Sequence, residues 1–284
     1  VRQAFSLHQS GFGLVFIALG CGYCASGFFG GKLTAVLVRG GSWRLGYELV
    51  GGILLAMAVL FFVTHERWND SPRVAEGHVD QPVSMKTALQ EPMVWLQIVI
   101  FFLYVGLEFT VGQWSFTVLT ESRGVRPDIA GTLAGSYYGA IGVGRVLSGV
   151  IASRVGLDRL LRGAMLIVLV GVLLFAFGKP VEVGSAGLVI IGLGLAPIFP
   201  CLMTMTPVRL GAGIATHAVG FQVSSGMLGA ALVPGLAGLF AEKLGLEVVA
   251  QFAMTLATLL FVTHELLLFV AARHRSAVAA SNLP

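Results

Sequence analysis

The stretch from Trp95 to Thr120 reads WLQIVIFFLYVGLEFTVGQWSFTVLT. It is apolar over roughly the 20 residues that a helix needs to cross the hydrocarbon core of a bilayer. Glu108 nevertheless sits near its middle, with Gln113 and Trp114 about one and a half turns further on. An acidic group at the centre of a membrane helix costs roughly 2.5–3.5 kcal/mol. That cost is tolerable where the carboxyl faces a wet cavity, meets a partner or carries a proton. Two glycines, Gly106 and Gly112, bracket it and are expected to invite a local break in the helix. The stretch therefore reads as a helix lining a translocation pathway, with Glu108 as a binding or proton-coupling group. The bland alternative is a structural carboxyl hydrogen-bonded to a neighbouring helix.

The composition extends this reading outward. The chain is 56% hydrophobic and 11% charged, against roughly 25% charged residues in soluble domains, and its mean hydropathy is +0.87. The expected fold is an all-α polytopic transmembrane helix bundle in a lipid bilayer, with about eight helices at bilayer-spanning length. The net charge of +4 is spread over short loops; it reads as a topology signal and gives no nucleic-acid footprint. Cys21, Cys24 and Cys201 fall inside apolar spans, where small-residue packing is favoured over a disulfide or metal role. No phosphate loop, metal-ligand cluster or nucleophile–base set stands out. Neither enzyme chemistry nor a cofactor or metal is expected.

Taken in order, the first helices are expected over 11–38 and 45–64. Residues 65–91 are polar, contain Pro72 and Pro82, and read as a surface linker between two bundles. Glu91-Pro92 starts a third helix, since proline in the first turn loses no hydrogen bond. Further helices are expected over 129–155, 160–177, 184–206, 217–241 and 248–272, followed by a polar tail over 274–284. Arg154, Arg159, Arg162, Arg209, Arg273 and Arg275 would share one side with the linker. The positive-inside rule makes that side, and both termini, cytoplasmic in a cell (inner) membrane.

Around the end of the fourth helix the sequence runs Gly144-Arg145-Val-Leu-Ser-Gly149-Val-Ile-Ala-Ser153-Arg154-Val-Gly156-Leu-Asp158-Arg159. This resembles the loop motif G-x-L-A-D-R-x-G-R-K of the major facilitator superfamily, with Ser153 standing where the motif has its acid. The resemblance implies a gating role for Gly149, Arg154, Gly156, Asp158 and Arg159: a latch whose arginines bond helix-end carbonyls and acids of the neighbouring half. Gly192-Leu-Gly-Leu-Ala-Pro197-Ile-Phe-Pro200 and His217-Ala-Val-Gly-Phe-Gln222, followed by Pro234, resemble the fucose permease branch of that superfamily, as does the run into Glu108. Pro197, Pro200 and Pro234 are expected to break or bend their helices.

The resemblance covers about residues 91–273, so 92–273 would be a complete C-terminal six-helix half. It implies proton-coupled uptake of a sugar or similar small polar solute by alternating access, with a site near the midplane. By position that site would hold Glu108, Gln113, Trp114, Tyr137, Tyr138 and Gln222. Trp114 and Tyr138 have interfacial anchoring as the plainer role. Residues 1–64 then look like a two-helix remnant of the N-terminal half, with a deletion seam near 31–33. With half of the cavity walls absent, such a chain is expected not to transport alone. A homo-oligomer packed through small-residue stripes such as Gly27/Gly31 or Gly142/Gly149 would cover the exposed face. The alternatives are a drug or metabolite efflux transporter, and an inactive remnant acting as a non-transporting membrane protein.

Overall fold

In the computed structural model, residues 83–281 are described, together with isolated helical positions between 48 and 63. The expected helix over 11–38, most of the one over 45–64, the seam near 31–33, Cys21 and Cys24, and the linker as far as residue 82 lie outside the described residues. Among the described residues all regular structure is helical: α1 Met85–Gln90, α2 Pro92–Thr117, α3 Pro127–Val155, α4 Leu157–Phe177, α5 Val181–Leu195, α6 Ile198–Leu244 and α7 Val248–Ser281. The chain is thus an all-α polytopic bundle.

The boundaries follow from local chemistry. The end of the expected linker is ordered, because Ser84 caps α1 by accepting from the Thr87 amide at 3.2 Å. His217 in α6 pairs with the Val83 carbonyl at 2.9 Å, tying this short helix to the bundle. Pro92 opens α2 as the sequence indicates. At the far end α2 passes into a π-helical turn over Val118–Ser122. Gly124, Gly156, Gly211 and Gly245 have positive φ, a conformation that costs other residues energy.

Two expectations change. The sequence predicts a loop over 207–216. Instead α6 continues to 210, breaks at the single residue Gly211 (φ 76°, ψ 161°) and resumes at 212. One glycine at positive φ makes the kink where the sequence's mixture of small and polar residues points to a longer connection. The tail beyond 274 continues α7 as helix to Ser281; its alanines favour helix even where charge ends the apolar run.

Among the described residues, four stretches are long and apolar enough to cross a membrane: Pro92–Ser122, Leu157–Phe177, Val181–Leu244 and Val248–Arg273. The third contains 64 residues, enough for two passages at about 1.5 Å per residue. α3 is also long enough at 29 residues, but it is rich in glycine and carries Arg145. Packing, more than hydropathy, accounts for its place. α2 is the central helix, packed against α6 and α7; α4 packs on α5 and α7, and α3 chiefly on α5.

The outward shell is apolar. Val170 and Leu173 of α4, Leu232 and Leu236 of α6 and Val262 and Phe269 of α7 are all exposed. Such a surface is at home in lipid. There, burial of apolar groups gives no drive for helix association, and close van der Waals packing must supply it. Glycines supply it here. A Cβ on Gly187 of α5 would lie 2.6 Å from the Phe175 amide nitrogen and 2.7 Å from the Gly171 carbonyl oxygen of α4. Gly144 of α3 faces Ala196 and Leu193 in the same way, and Gly192 of α5 faces the backbone of Tyr137.

Ion pairs fasten both ends. At one end Arg123 donates to Glu247 through Nε (3.0 Å) and Nη2 (2.8 Å) and to the Phe175 carbonyl at 2.7 Å. Its guanidinium also lies over the Phe175 ring, 4.7 Å from the centroid. One side chain thereby joins the end of α2, the end of α4 and the α6–α7 turn. At the other end Arg209 meets Asp158 at 2.7 Å, and Arg162 grips Glu265 with two bonds of 2.8 and 2.7 Å.

Two outcomes are expected. Gly187→Ala should destabilise the bundle by about 1–3 kcal/mol through overpacking. Gly139→Ala, where nothing lies within 4 Å, should not; unfolding curves in detergent compare the two. The second concerns Glu247, whose carboxyl is held below the ordinary value of 4.5 by the Arg123 hydrogen bonds, against a smaller opposing effect of burial. A depressed carboxyl contributes stability that is fully present above its unfolded value and is lost as pH falls through its folded one. The melting temperature of the parent should therefore exceed that of Glu247→Gln at neutral pH, and the gap should close on acidification below 4.5.

Candidate functional site

Glu108 lies at the centre of α2, 8% exposed. Tyr104, one turn earlier on the same helix, hydrogen-bonds its carboxyl, and the charge of Arg145 on α3 acts on it. Two tyrosines of α3 close over this turn. Tyr137 Oη donates to the backbone carbonyl of Glu108 at 2.9 Å. Tyr138 stands edge-on to Tyr137, ring centroids 5.0 Å apart. The Tyr138 hydroxyl occupies the space where Gly112 would carry a Cβ.

The expected breaks at Gly106 and Gly112 are absent, since α2 runs uninterrupted through both. The helix keeps its bonds, and each glycine gives its missing side chain's space to a neighbour. Gly112 admits Tyr138. Gly106 admits Val233 of α6, whose Cβ would be 2.9 Å from a Cβ there. Of the prolines, Pro197 does mark the α5–α6 junction, whereas Pro200 sits in the first turn of α6 and Pro234 inside the continuous 212–244 segment.

The other expected pathway residues lie elsewhere. Gln113 is exposed; five residues turn a helix about 140° away from Glu108. Trp114 faces α6. Its Nε1 donates to the Pro234 carbonyl at 3.0 Å, and its ring fills the space beside Gly238. It therefore clamps two helices together.

Gln222 belongs to a second polar group, nearer the Asp158 end. It meets Gln97 of α2 and Thr206 of α6, which are 1% and 0% exposed. Gln222 Nε2 donates to Gln97 Oε1 and, at 2.9 Å, to Thr206 Oγ1. The Thr206 hydroxyl lies 3.2 Å from Gln222 Oε1 and 3.3 Å from Gln97 Oε1, and bonds the Leu202 carbonyl at 2.9 Å. Gln97 Nε2 is left without a hydrogen-bond partner.

Sequence reasoning passes over Gln97, Tyr104 and Thr206. A helical wheel carries a signal for the first two. Residues 97, 104, 108 and 115 are spaced by seven, four and seven, so they fall close together around α2, within a sector of about 40°. Gln97, Tyr104, Glu108 and Ser115 form one buried polar stripe. Thr206 has no such signal, because its partners come from other segments.

In the expected loop motif, Gly156 takes φ 84° and separates α3 from α4, and Asp158 accepts from Arg209 of α6. Gly149, Arg154 and Arg159 are exposed. The acid's observed partner is thus an arginine within the described bundle. The sequence marks Arg209 only as a topology charge, yet its side chain is 6% exposed.

The sequence matches the Major Facilitator Superfamily over residues 3–234 and 115–283. It is 27% identical over 169 residues to Bypass of stop codon protein 6 of Saccharomyces cerevisiae, covering 56% of this chain and 34% of that protein. The fold is similar to the crystal structure of FucP, a Major Facilitator Superfamily transporter, in the outward conformation (TM-score 0.63, 17% identity, 79% of this chain and 54% of that one). It is also similar to a variant of the E. coli fucose:proton symporter FucP (TM-score 0.64, 16% identity, 79% and 55%). The chain spans about half the length of those structures and about a third of the yeast protein.

The amide cluster yields its own test. Gln222→Leu leaves Gln97 buried without its amide partner and should destabilise the bundle by about 1–3 kcal/mol. Gln97→Leu combined with Gln222→Leu removes both partners and should recover some of that loss; a double-mutant cycle by chemical unfolding measures it.

Proposed function

This chain belongs to the Major Facilitator Superfamily, and we propose that it contributes to the pathway of a secondary transporter that moves a sugar or similar small polar solute together with protons. One observation carries this reading: a carboxyl buried at the middle of the central helix, with a tyrosine hydroxyl on it and an arginine charge nearby. In the hydrocarbon layer such a group is retained where it serves a function. A carboxylate balances Arg145, while a protonated carboxyl can donate a hydrogen bond to a solute hydroxyl. Switching between these two states ties proton movement to solute movement. Tyr137 and Tyr138 hold the Glu108 turn in register against α3.

In this reading residues 92–273 are the C-terminal six-helix half, 65–91 the connection to the other half, and the Asp158 end the cytoplasmic one. The likeness to FucP, one form of which is described as a fucose:proton symporter, supports the solute class and the coupling ion. The facing wall of the pathway comes from residues outside the described range or from a second copy.

The test is uptake of a panel of labelled hexoses by proteoliposomes under an imposed proton gradient. Against the expectation that the chain does not transport alone, the parent should accumulate at least one sugar, with a second copy supplying the facing wall. Glu108→Gln should lose gradient-driven accumulation while keeping solute exchange at equal concentrations, because exchange needs binding and no net proton transfer. No uptake by the parent, or full accumulation by the variant, overturns the reading.

A further inference from the structure

Two tyrosine hydroxyls meet residue 108, and they meet different parts of it. Tyr137 Oη of α3 donates to its backbone carbonyl at 2.9 Å. The Tyr104 hydroxyl lies on its carboxyl. Tyr104 is 1% exposed and stands one turn before Glu108 on α2, which runs unbroken over Pro92–Thr117. Residues four apart on a helix share a face, so α2 itself holds this contact whatever its neighbours do. Among the described residues, the charge that acts on the same carboxyl is that of Arg145, on α3. α6 presents Val233 to this part of α2, and its Pro234 carbonyl accepts from Trp114. His264 and Glu265 of α7 lie at the Asp158 end, where Glu265 pairs with Arg162.

A carboxyl has two oxygens, and a single proton sits on one of them. A phenol hydroxyl donates to a carboxylate, and it also donates to the carbonyl oxygen of the neutral acid. The Tyr104 hydroxyl is therefore a partner that suits both states of Glu108 without moving. Arg145 favours the anion alone. We propose that Tyr104 is a positioning residue: its hydroxyl holds one oxygen of the Glu108 carboxyl in both protonation states, so that the proton is taken up and released on the other. Held in this way, the carboxyl aims its acid O–H in a single direction. The second oxygen is then the one left to bond a solute hydroxyl. That use of the proton rests on the transport reading above; the fixed oxygen does not.

Infrared difference spectra between acid and neutral pH read the arrangement in the reconstituted chain. The C=O stretch of protonated Glu108 is the band that Glu108→Gln removes. A donor on the carbonyl oxygen lowers its frequency, because the hydrogen bond draws electron density out of the C=O bond. Tyr104→Phe keeps the ring and its packing. It should raise the frequency and broaden the band, since the carboxyl gains further orientations. A ring-fluorinated tyrosine at position 104 keeps the hydroxyl and makes it a stronger donor, so it should move the band the opposite way. Tyr137→Phe removes the hydroxyl that bonds the main chain of the same residue and should leave the frequency in place. A band unmoved by both changes at position 104, a band moved as far by Tyr137→Phe, or no Glu108 band in the parent overturns the proposal. The expected shifts in a chain with no hexose uptake keep this inference and remove the transport reading. Hexose uptake with a band that Tyr104→Phe leaves unmoved does the reverse.

Discussion

A carboxyl group halfway along a membrane helix cannot face lipid, and this requirement orients α2. Glu108 must turn inward to Tyr104 and towards the charge of Arg145. α3 must then lie alongside, although its own hydropathy does not place it among the stretches apolar enough to span. The same face of α2 presents Gln97 at one end and Ser115 at the other, both 1% exposed. The central helix is thus fixed in rotation by its polar atoms. Its apolar side chains, which lipid solvates as well as protein does, would leave that rotation free.

Once α2 is fixed, the other helices close around it through the smallest residues. Gly106 and Gly112 let Val233 and Tyr138 approach α2, and Gly187 brings α5 against the α4 backbone. These contacts replace the hydrophobic drive that is missing in a bilayer. They also explain why the glycine content is high without making the helices irregular. The irregularities sit elsewhere, at the Ala196–Pro197 turn and at Gly211, and they frame one short segment of α6.

The two ends are fastened by different means. At the Arg123 end a single guanidinium, 11% exposed, joins Glu247, a helix-end carbonyl and an aromatic face. This is a rigid staple across three elements. At the Asp158 end the polar contacts fall in separate pairs, Arg209–Asp158 and Arg162–Glu265, and in the amide cluster just inside. Separate pairs can open singly, which a shared staple cannot do.

The sequence alone determined that the chain is a polytopic helical membrane protein and that Glu108 lies at the heart of one span, because a 20-residue apolar run and a charge within it are local properties. The loop motif likewise located the glycine turn at Gly156, since a positive φ selects glycine whatever surrounds it. Partners are another matter. Periodicity places Gln97 and Tyr104 on the face of Glu108, but no spacing along the chain links Thr206 or Gln222 to Gln97, or Arg209 to Asp158, across 109, 125 and 51 residues. The roles of Gly106, Gly112 and Trp114 escape a sequence reading for the same reason. A glycine that breaks a helix and one that admits a neighbour look alike until the neighbour is in place, and a tryptophan's one donor finds its acceptor only when a second helix arrives.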